Sequence, residues 1–305
     1  MRDVYGEIAK RLREGTSFAI ATLVSTRDAA PAPIGTSLVV DADGTFIGNV
    51  GAGCHEGELV EAARAALRDG QTREIVFDLN DELLDGSACG ASMTVVVWVP
   101  RRSFGPVASQ IASGCDDVRF ACGNHEIDVP RRRSLLVVGA TDLTLQLSTF
   151  ARAADFSVTV VDPRPEFATK RRLPSVDRVV VGWPQEVLPA LLTHVDAIVV
   201  VSHDAKIDLP ALRCALDSNV AYIGALGSRR NQQHRREALA AEGYGADSLE
   251  RIFGPTGFDL GAVTNAQVAC SILAEMLAVL NRRSGAPLRD TSGPISSAFQ
   301  KSGLR

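Results

Sequence analysis

In the second half of the chain, short apolar runs alternate with stretches in which apolar residues recur at helical spacing. Runs too short for a helix and rich in Val, Ile and Leu predict strands buried on both faces of a sheet. The predicted strands are residues 135–138, 157–161, 178–181, 197–201 and 220–223, and the predicted helices are residues 143–154, 185–192, 209–216, 229–242 and 265–281. This alternation predicts an α/β fold with a doubly wound parallel sheet.

The first strand of this half opens a unit that looks like a Rossmann nucleotide-binding unit. Its turn begins at Gly139, and its second strand ends at Asp162, where such a unit places an acid for a ribose hydroxyl. The Gly-x-Gly-x-x-Gly fingerprint is incomplete, because Thr141 and Thr144 replace the later glycines and Asp142 adds a negative charge at the helix start. The sequence therefore predicts a Rossmann-like scaffold in which NAD(P) is possible but less expected.

The first half of the chain has shorter elements of both kinds. The predicted helices are residues 3–13 and 58–68, and the predicted strands are residues 17–25, 36–40, 45–49, 73–78 and 92–99. This pattern predicts a smaller mixed α/β domain built on a small mixed sheet. Clusters of Gly, Ser and Asp in residues 101–133 indicate a boundary. The expected organisation is an N-terminal domain over residues 1–130, a Rossmann-like domain over residues 131–283, and a disordered tail over residues 284–305.

Composition narrows the classes of protein that this chain can be. A formal net charge of −4 and scattered Lys and Arg give no basic field, so nucleic acid is not an expected partner. The charged start of the chain lacks the apolar core of a signal peptide, and no apolar run approaches the length of a membrane helix. The expected location is the cytoplasm, with no membrane insertion. Six cysteines without a Cys-x-x-Cys pair are expected to be free thiols.

A second glycine turn is a candidate anion site. It runs from Gly227 through Ser228, which can cap the next helix, to Arg229 and Arg230 in the first helical turn. Cations are unfavourable there for the helix itself, so an anion bound by backbone amides and guanidinium groups would explain them. Two solvated surface arginines are the alternative. His203 follows a strand at the expected ligand edge, although such a histidine is more often a hydrogen-bonded loop residue.

Two cysteines lie in glycine-flanked turns. Cys54 precedes a predicted helix, where the helix dipole lowers the pKa of a thiol and makes a thiolate available to a soft metal. Cys89 lies in another such loop and can act with Cys54 if the fold brings the two together. The alternative for both is a buried, inert thiol, which is the commoner fate of a cysteine.

Several motifs occur together in one order along the chain. They are residues 48–56 (GNVGAGCHE), Cys89–Gly90, residues 162–167 (DPRPEF), residues 222–230 (YIGALGSRR), residues 257–262 (GFDLGA) and residues 271–275 (SILAE). In these motifs the chain resembles the XdhC/CoxI family, accessory proteins of molybdenum hydroxylases such as xanthine dehydrogenase and carbon monoxide dehydrogenase. The likeness covers about residues 16–100 and 134–280.

The resemblance implies a molybdenum-cofactor chaperone. Such a protein binds molybdopterin, protects it during sulfuration and delivers it to a hydroxylase apoenzyme, so a cofactor sulfurase and a second copy of the chain are further expected partners. Carried over residue by residue, the resemblance together with the turns described above gives a set of expected cofactor-binding residues. They are Gly51, Gly53, Cys54, Glu56, Cys89, Gly139, Asp162, His203, Gly227, Ser228, Arg229 and Arg230, with Cys54 also the expected metal ligand.

No catalytic residue is expected for a chaperone, and two other functions compete with it. One is an NAD(P)-dependent oxidoreductase that uses the Gly139 turn and Asp162. The other is a regulatory paralogue without cofactor binding, which is suggested by Ala32 and Ser37 at positions where family members commonly have basic residues.

Overall fold

The computed structural model describes residues 1–27, 32–51, 53, 55–78 and 92–292. They divide into two compact units, Met1–Arg131 and Arg132–Ser292, each with hydrophobic clusters of its own. The predicted assignment of domains to residues 1–130 and 131–283 stays a prediction, as does the disordered tail, most of which lies outside the described residues. Within the described part of the chain, no helix has both the length and the hydropathy that crossing a membrane requires.

The first unit combines an antiparallel sheet, a hairpin and helices. Its strands are β1 (Phe18–Arg27), β2 (Ser37–Asp41), β3 (Phe46–Gly48), β4 (Arg73–Asp78), β5 (Ser92–Trp98), β6 (Val118–Cys122) and β7 (His125–Val129), and its helices are α1 (Arg2–Glu14), α2 (Glu56–Asp69) and α3 (Gly105–Ser113). The five-stranded sheet has the order β3-β2-β1-β5-β4, and every neighbouring pair is antiparallel. The mixed α/β character is confirmed. The prediction of a mixed sheet is wrong, because strands that follow each other in the chain pair antiparallel.

Both faces of this sheet are covered. Along β1, Phe18 and Ile20 pack with α1, α3 and the hairpin, whereas Ala19 and Ala21 pack with α2, as the period of two along a strand requires. Residues 101–133 contain α3 and the β6–β7 hairpin, although their composition predicted only a boundary. In β6 the buried and exposed residues alternate strictly, which is the pattern of a half-buried strand.

The second unit is a parallel sheet with helices on both faces. Its strands are β8 (Arg133–Val138), β9 (Phe156–Asp162), β10 (Arg178–Val181), β11 (Ala197–Val200), β12 (Tyr222–Ala225) and β13 (Ile252–Phe253), and its helices are α4 (Asp142–Ala153), α5 (Pro184–Leu191), α6 (Ala205–Leu216), α7 (Arg229–Ala241), α8 (Ala246–Glu250) and α9 (Asn265–Leu280). The order is β10-β9-β8-β11-β12-β13, and all pairs are parallel. The predicted doubly wound sheet is confirmed, with β13 and α8 in addition to the predicted elements.

The central strand β8 shows why the apolar runs are continuous. Leu135 and Val137 pack on one face with α4 and α9, and Leu136 and Val138 pack on the other with α5 and α6. Since helices cover both faces, no position in the strand is left for a polar side chain. The chain leaves β8 in one direction to β9 and later returns to its other side as β11, so the strand order reverses between these two strands. Such a reversal opens a crevice at the carboxyl ends of the strands.

Gly139 lies at this reversal, directly after β8. Its φ of +108° is in the region that favours glycine, and a Cβ added to it would lie 2.9 Å from the backbone nitrogen of Ser202, which follows β11. The turn after β8 and the loop after β11 therefore approach each other more closely than any residue with a side chain permits.

We predict that Gly139→Ala destabilises the protein by about 1 to 3 kcal/mol more than Gly243→Ala, because a clash with backbone cannot be relieved by rotating a side chain. Gly243 is the matched control, since its φ of +102° is similar and nothing lies within 4 Å of an added Cβ. Its substitution bears only the conformational penalty of about 1 to 2 kcal/mol. Urea unfolding of both variants measures the difference, and equal losses would contradict the prediction.

Candidate functional site

A cavity of about 410 Å³ opens at the carboxyl edge of the parallel sheet. Four segments contribute to its lining: the start of α4, the loop after β11, the turn after β12, and the start of α9. The lining residues are Thr141, Asp142, Leu143, His203, Leu226, Gly227, Asn265 and Val268. The location is the one at which doubly wound sheets bind ligands, and the volume is within the range of small-molecule sites.

The first helical turn of α4 hydrogen-bonds largely to its own residues. Thr141 and Thr144 form a capping box, in which each side chain accepts a hydrogen bond from the other residue's backbone amide. The hydroxyl of Thr144 also donates to the carbonyl of Gly139, and the amide of Ala140 donates to Asp162 over 2.7 Å. Several of the donors that would hold a pyrophosphate in a dinucleotide-binding turn are therefore already used.

Asp162 is fully buried at the end of β9, and both of its carboxylate oxygens are bonded. One accepts from the backbone amide and Nε of Arg164, each over 2.9 Å, and the other accepts from Ala140 and from Nη2 of Arg164. Burial by itself would raise the pKa of Asp162, but these hydrogen bonds outweigh it and hold the pKa below its ordinary value. The acid predicted to bind a ribose instead fixes the turn of its own unit.

Arg164 also belongs to a stacked group at the end of β9. Its guanidinium carbon lies 4.3 Å from the centroid of the Phe167 ring, and that of Arg172 lies 4.8 Å from the same centroid. Arg172 forms an ion pair with Asp142 over 3.5 Å. The negative charge that the sequence places at the start of α4 is therefore paired with a partly exposed arginine.

The turn from Gly227 to Arg230 differs from the α4 turn in its charge and its contacts. Ser228 caps α7 by accepting a hydrogen bond from the amide of Asn231, and the first turn of this helix has no acidic residue. Gly227 lines the cavity. Arg229 and Arg230 are exposed and form no hydrogen bond or ion pair with any residue that the structure describes. Two unpaired cations and a helix N-terminus thus lie beside the cavity, which is favourable for an anion.

The inner face of α7 holds this turn in place. Gln232 donates from Nε2 to the carbonyl of Ala225 over 2.9 Å, and Arg235 donates from Nη1 to the carbonyl of Leu226 over 2.6 Å. Arg235 forms a buried ion pair with Asp208 of α6, whose other oxygen accepts from the hydroxyl of Ser202.

A second hydrogen-bonded group fixes the loop that leads to α9. Glu275 accepts from the hydroxyl of Tyr222 over 2.6 Å and from the amide of Gly257 over 2.9 Å. The hydroxyl of Thr256 lies 2.6 Å from that of Tyr222. The last strands and α9 are therefore joined through one carboxylate, which places the start of α9 at the cavity.

His203 follows β11 in a left-handed backbone conformation, with φ of +63°. Its side chain is exposed and lines the cavity. Residues other than glycine adopt this conformation rarely, and they do so most often where the surrounding structure holds them at a functional site. The structure therefore places His203 at the ligand edge, as the sequence predicted.

In the first unit, Glu56 holds the glycine-rich turn that precedes α2. Its carboxylate is buried and accepts from the amides of Gly51 over 3.0 Å and His55 over 3.2 Å. Burial would raise the pKa of Glu56, but backbone amides that include that of Gly53 outweigh it and lower the pKa. Glu56 thus shapes the turn, and nothing lies within 4 Å of a Cβ added to Gly53.

The cysteines predicted to bind a metal, Cys54 and Cys89, lie outside the described residues. Among the residues that are described, no group of three or more His, Cys, Asp or Glu side chains can hold a metal ion. The described cysteines Cys115, Cys122, Cys214 and Cys270 are free thiols, and burial raises the pKa of Cys122 to about 12.

Ser37, which stands where the family commonly has a basic residue, is fully buried. Its hydroxyl lies 3.1 Å from those of Tyr5 and Thr22, inside the first unit. A cation at this position could not remain among these hydroxyls without displacing them, so Ser37 belongs to an interior polar cluster of this chain.

The structure brings together part of the predicted site. His203 and Gly227 line one cavity, with Ser228, Arg229 and Arg230 directly following, and Gly139 lies in the turn that leads to its α4 wall. Sequence reasoning missed Asn265 and Val268 of α9, and it missed the buried pair of Asp208 and Arg235. The capping box that begins at Thr264 is a signal for the start of α9, but only the folded sheet shows where that start lies.

The strand order and the cavity at its reversal define a Rossmann-type ligand-binding protein. Two family models match the chain: the XdhC Rossmann domain over residues 135–276, and the XdhC and CoxI family over residues 11–78. The chain belongs to the XdhC/CoxI family, which confirms the resemblance seen in its motifs.

The chain is similar to three curated proteins. It is 25% identical over 295 residues to the uncharacterized protein YqeB of Escherichia coli (strain K12), covering 96% of this chain and 49% of YqeB. It is 23% identical over 290 residues to the molybdenum cofactor insertion chaperone PaoD of the same organism, covering 88% and 85%. It is 29% identical over 150 residues to a probable xanthine dehydrogenase subunit of Bacillus subtilis (strain 168), covering 48% and 43%. The chain thus spans about half the length of YqeB and less of the Bacillus protein.

One solved structure shares the fold over nearly the whole chain. The crystal structure of a xanthine dehydrogenase from Bacillus halodurans superposes with a TM-score of 0.73, covering 92% of this chain and 96% of that one. The sequences are 20% identical, so the likeness shows the fold.

We predict that Arg164→Met lowers the free energy of unfolding by about 1.5 to 3 kcal/mol at neutral pH, because the buried Asp162 carboxylate loses its charged donor. The stability that the lowered pKa of Asp162 contributes is present above its unfolded-state pKa and is lost as the pH falls through the folded-state pKa. In the variant the pKa of Asp162 rises, so the difference from the unsubstituted protein narrows at acidic pH.

Arg172→Met is the control for this substitution, since Arg172 stacks on the same ring but pairs with the exposed Asp142. We expect it to change stability by less than about 1 kcal/mol. Urea unfolding between pH 4 and pH 8 checks both variants, and a deficit for Arg164→Met that does not depend on pH would contradict the assigned role.

Proposed function

We propose that this chain binds the molybdenum cofactor and delivers it to a molybdenum hydroxylase as an accessory chaperone. The observation that carries the proposal is the cavity at the strand-order reversal, with the unpaired Arg229 and Arg230 beside it. Similarity to an insertion chaperone over most of both chains supports the cargo. Molybdopterin is a small pterin that ends in an anionic phosphate, which suits a cavity of this volume next to a cationic turn.

The phosphate is assigned to the turn from Gly227 to Arg230. The α4 turn competes poorly, because its capping box and Asp162 use several of its donors and Asp142 adds an exposed carboxylate. At the α7 turn, the guanidinium groups of Arg229 and Arg230 are available, and no acidic residue follows them in the first helical turn. A charged hydrogen bond contributes about 1.5 to 3 kcal/mol when well formed. This difference also favours a chaperone over an NAD(P)-dependent oxidoreductase, since Asp162 is already paired.

The metal is assigned to Cys54, with Cys89 as a second candidate ligand. The assignment rests on the motifs around these residues, since a thiolate in a glycine turn at a helix start is a suitable ligand for a soft metal. Gly51, Gly53 and Glu56 contribute by shaping the turn that contains Cys54.

The chain needs no catalytic residue for this function. Binding holds the cofactor away from water and releases it to the apoenzyme of a molybdenum hydroxylase, the partner assigned here. A cofactor sulfurase and a second copy of the chain are further proposed partners, and the proposed location is the cytoplasm.

We predict that replacing both Arg229 and Arg230 with Ala lowers the pterin retained per protein at least tenfold while the melting temperature stays the same. Two charged hydrogen bonds are lost, whereas removing cations from a first helical turn does not weaken the helix. Protein is purified without oxygen from a cofactor-producing host, and the bound pterin is measured by fluorescence after oxidation.

The control is the double variant of Arg178 and Arg282 to Ala. These arginines are also exposed in the second unit, but they lie at the start of β10 and after α9, at the opposite edge of the sheet. The control should retain pterin as the unsubstituted protein does. Unchanged pterin with a lower melting temperature in the Arg229 and Arg230 variant would show a structural role instead.

We predict that Cys54→Ser lowers the molybdenum content at least fivefold and leaves the melting temperature unchanged, since a hydroxyl of similar size is a poor ligand for a soft metal. Cys115→Ser is the control, because Cys115 is an exposed free thiol in no motif. Elemental analysis of both variants measures bound molybdenum, and equal contents would remove Cys54 from the metal site.

A further inference from the structure

Two of the loops that line the cavity are held by one buried ion pair. Asp208 on α6 is 1% exposed, Arg235 on α7 is also buried, and Nη2 of Arg235 donates to a carboxylate oxygen of Asp208. The binding steps assigned above use neither side chain. Charges are buried in proteins at a large desolvation penalty, and such pairs are often neutral for stability compared with apolar residues. A specific arrangement that the pair enforces is therefore its most informative feature.

Each partner of the ion pair contacts a different loop. The other oxygen of Asp208 accepts from the hydroxyl of Ser202, the residue before His203. Nη1 of Arg235 donates over 2.6 Å to the carbonyl of Leu226, the residue before Gly227. A continuous chain of hydrogen bonds thus runs from the loop after β11, through the two charged groups, to the turn after β12.

The same two helices have a second ion pair that lacks this connection. Nε and Nη2 of Arg213 on α6 donate to the carboxylate of Glu242, which ends α7, and both side chains are 37% exposed. None of the hydrogen bonds of this pair reaches a residue that lines the cavity. Linking α6 to α7 therefore does not require the buried pair, whereas linking the two cavity loops does.

We infer that Asp208 and Arg235 are positioning residues that couple the two loops, so that His203 and Gly227 meet the ligand as one preformed surface. Preorganisation of this kind strengthens binding because the loops lose no further freedom when the ligand arrives. The inference rests on the proposed function only for the identity of the ligand, because the coupling of the loops can be measured without one.

The first test is amide hydrogen exchange of the full chain with Asp208→Asn and Arg235→Met. The probes are the amide of Asp204, bonded to the Ser202 hydroxyl, and the amide of Leu226, bonded to the carbonyl of Val200. We expect both amides to exchange at least tenfold faster in both variants, including the loop that the substituted residue does not contact. Amides of β8 serve as the internal reference for global unfolding, and the double variant of Arg213 and Glu242 to Gln is the matched control.

Arg235→Lys separates positioning from simple neutralisation of a buried charge. A lysine keeps the positive charge beside Asp208, but its single ammonium group lacks the fork that reaches two partners. We expect this variant to recover most of the melting temperature lost in Arg235→Met while the amides of Asp204 and Leu226 still exchange fast. If Arg235→Lys restores protection of both amides, the pair acts only as a charge and the inference is overturned.

The second readout is the pterin retained after anaerobic purification, which should fall at least fivefold in Asp208→Asn and Arg235→Met and stay unchanged in the Arg213 and Glu242 control. Faster exchange confined to the loop that the substituted residue contacts would overturn the inference, and so would faster exchange at both loops with undiminished pterin. If the unsubstituted protein retains no pterin, the proposed function fails, and the exchange measurement alone then decides whether the loops are coupled.

Discussion

The close approach of the Gly139 turn to Ser202 is the constraint on which the site depends. It lies where the chain divides to the two sides of β8, and a backbone that passes within reach of another backbone leaves no room for a side chain. Because helices cover both faces of the sheet, the carboxyl edge is the place where loops from separate parts of the chain meet. The other contacts of the cavity, from Asp162 on one side to Arg235 on the other, hold loops whose relative position this approach sets.

The sheet of the second unit was predictable, because each strand is a continuous apolar run and each helix has its own spacing and cap. The antiparallel direction of the first sheet was not, since apolar runs alone do not state how neighbouring strands are oriented. Residues 101–133 were misjudged for a related reason. Gly, Ser and Asp are as frequent in the turns of a short hairpin as in a linker, and only the strict alternation in β6 distinguishes the two.

The chemistry of the site was predictable where a motif adjoins a strand, as at His203 and the turn from Gly227 to Arg230. The sequence also placed Asp162 correctly at the end of its strand, but it could not show that Arg164, two residues later, turns back to occupy both carboxylate oxygens. Asp208 and Arg235 are far apart in the chain and stand in no motif, so their pairing depends on how α6 and α7 pack. The two glycine turns look alike in sequence, and their different hydrogen bonding divides the edge into a self-capped side and a cationic side.

The cavity takes its walls from the start of α4 near one end of the second unit and from the start of α9 near the other. During synthesis the segments before α9 can leave the ribosome well before Asn265 and Val268 do, and until then one wall is absent. Glu275, deeper in α9, must emerge as well before the loop at Gly257 is tied to Tyr222. A nascent chain thus offers an open crevice instead of a closed cavity, so a ligand of this site is loaded after translation of the unit is complete.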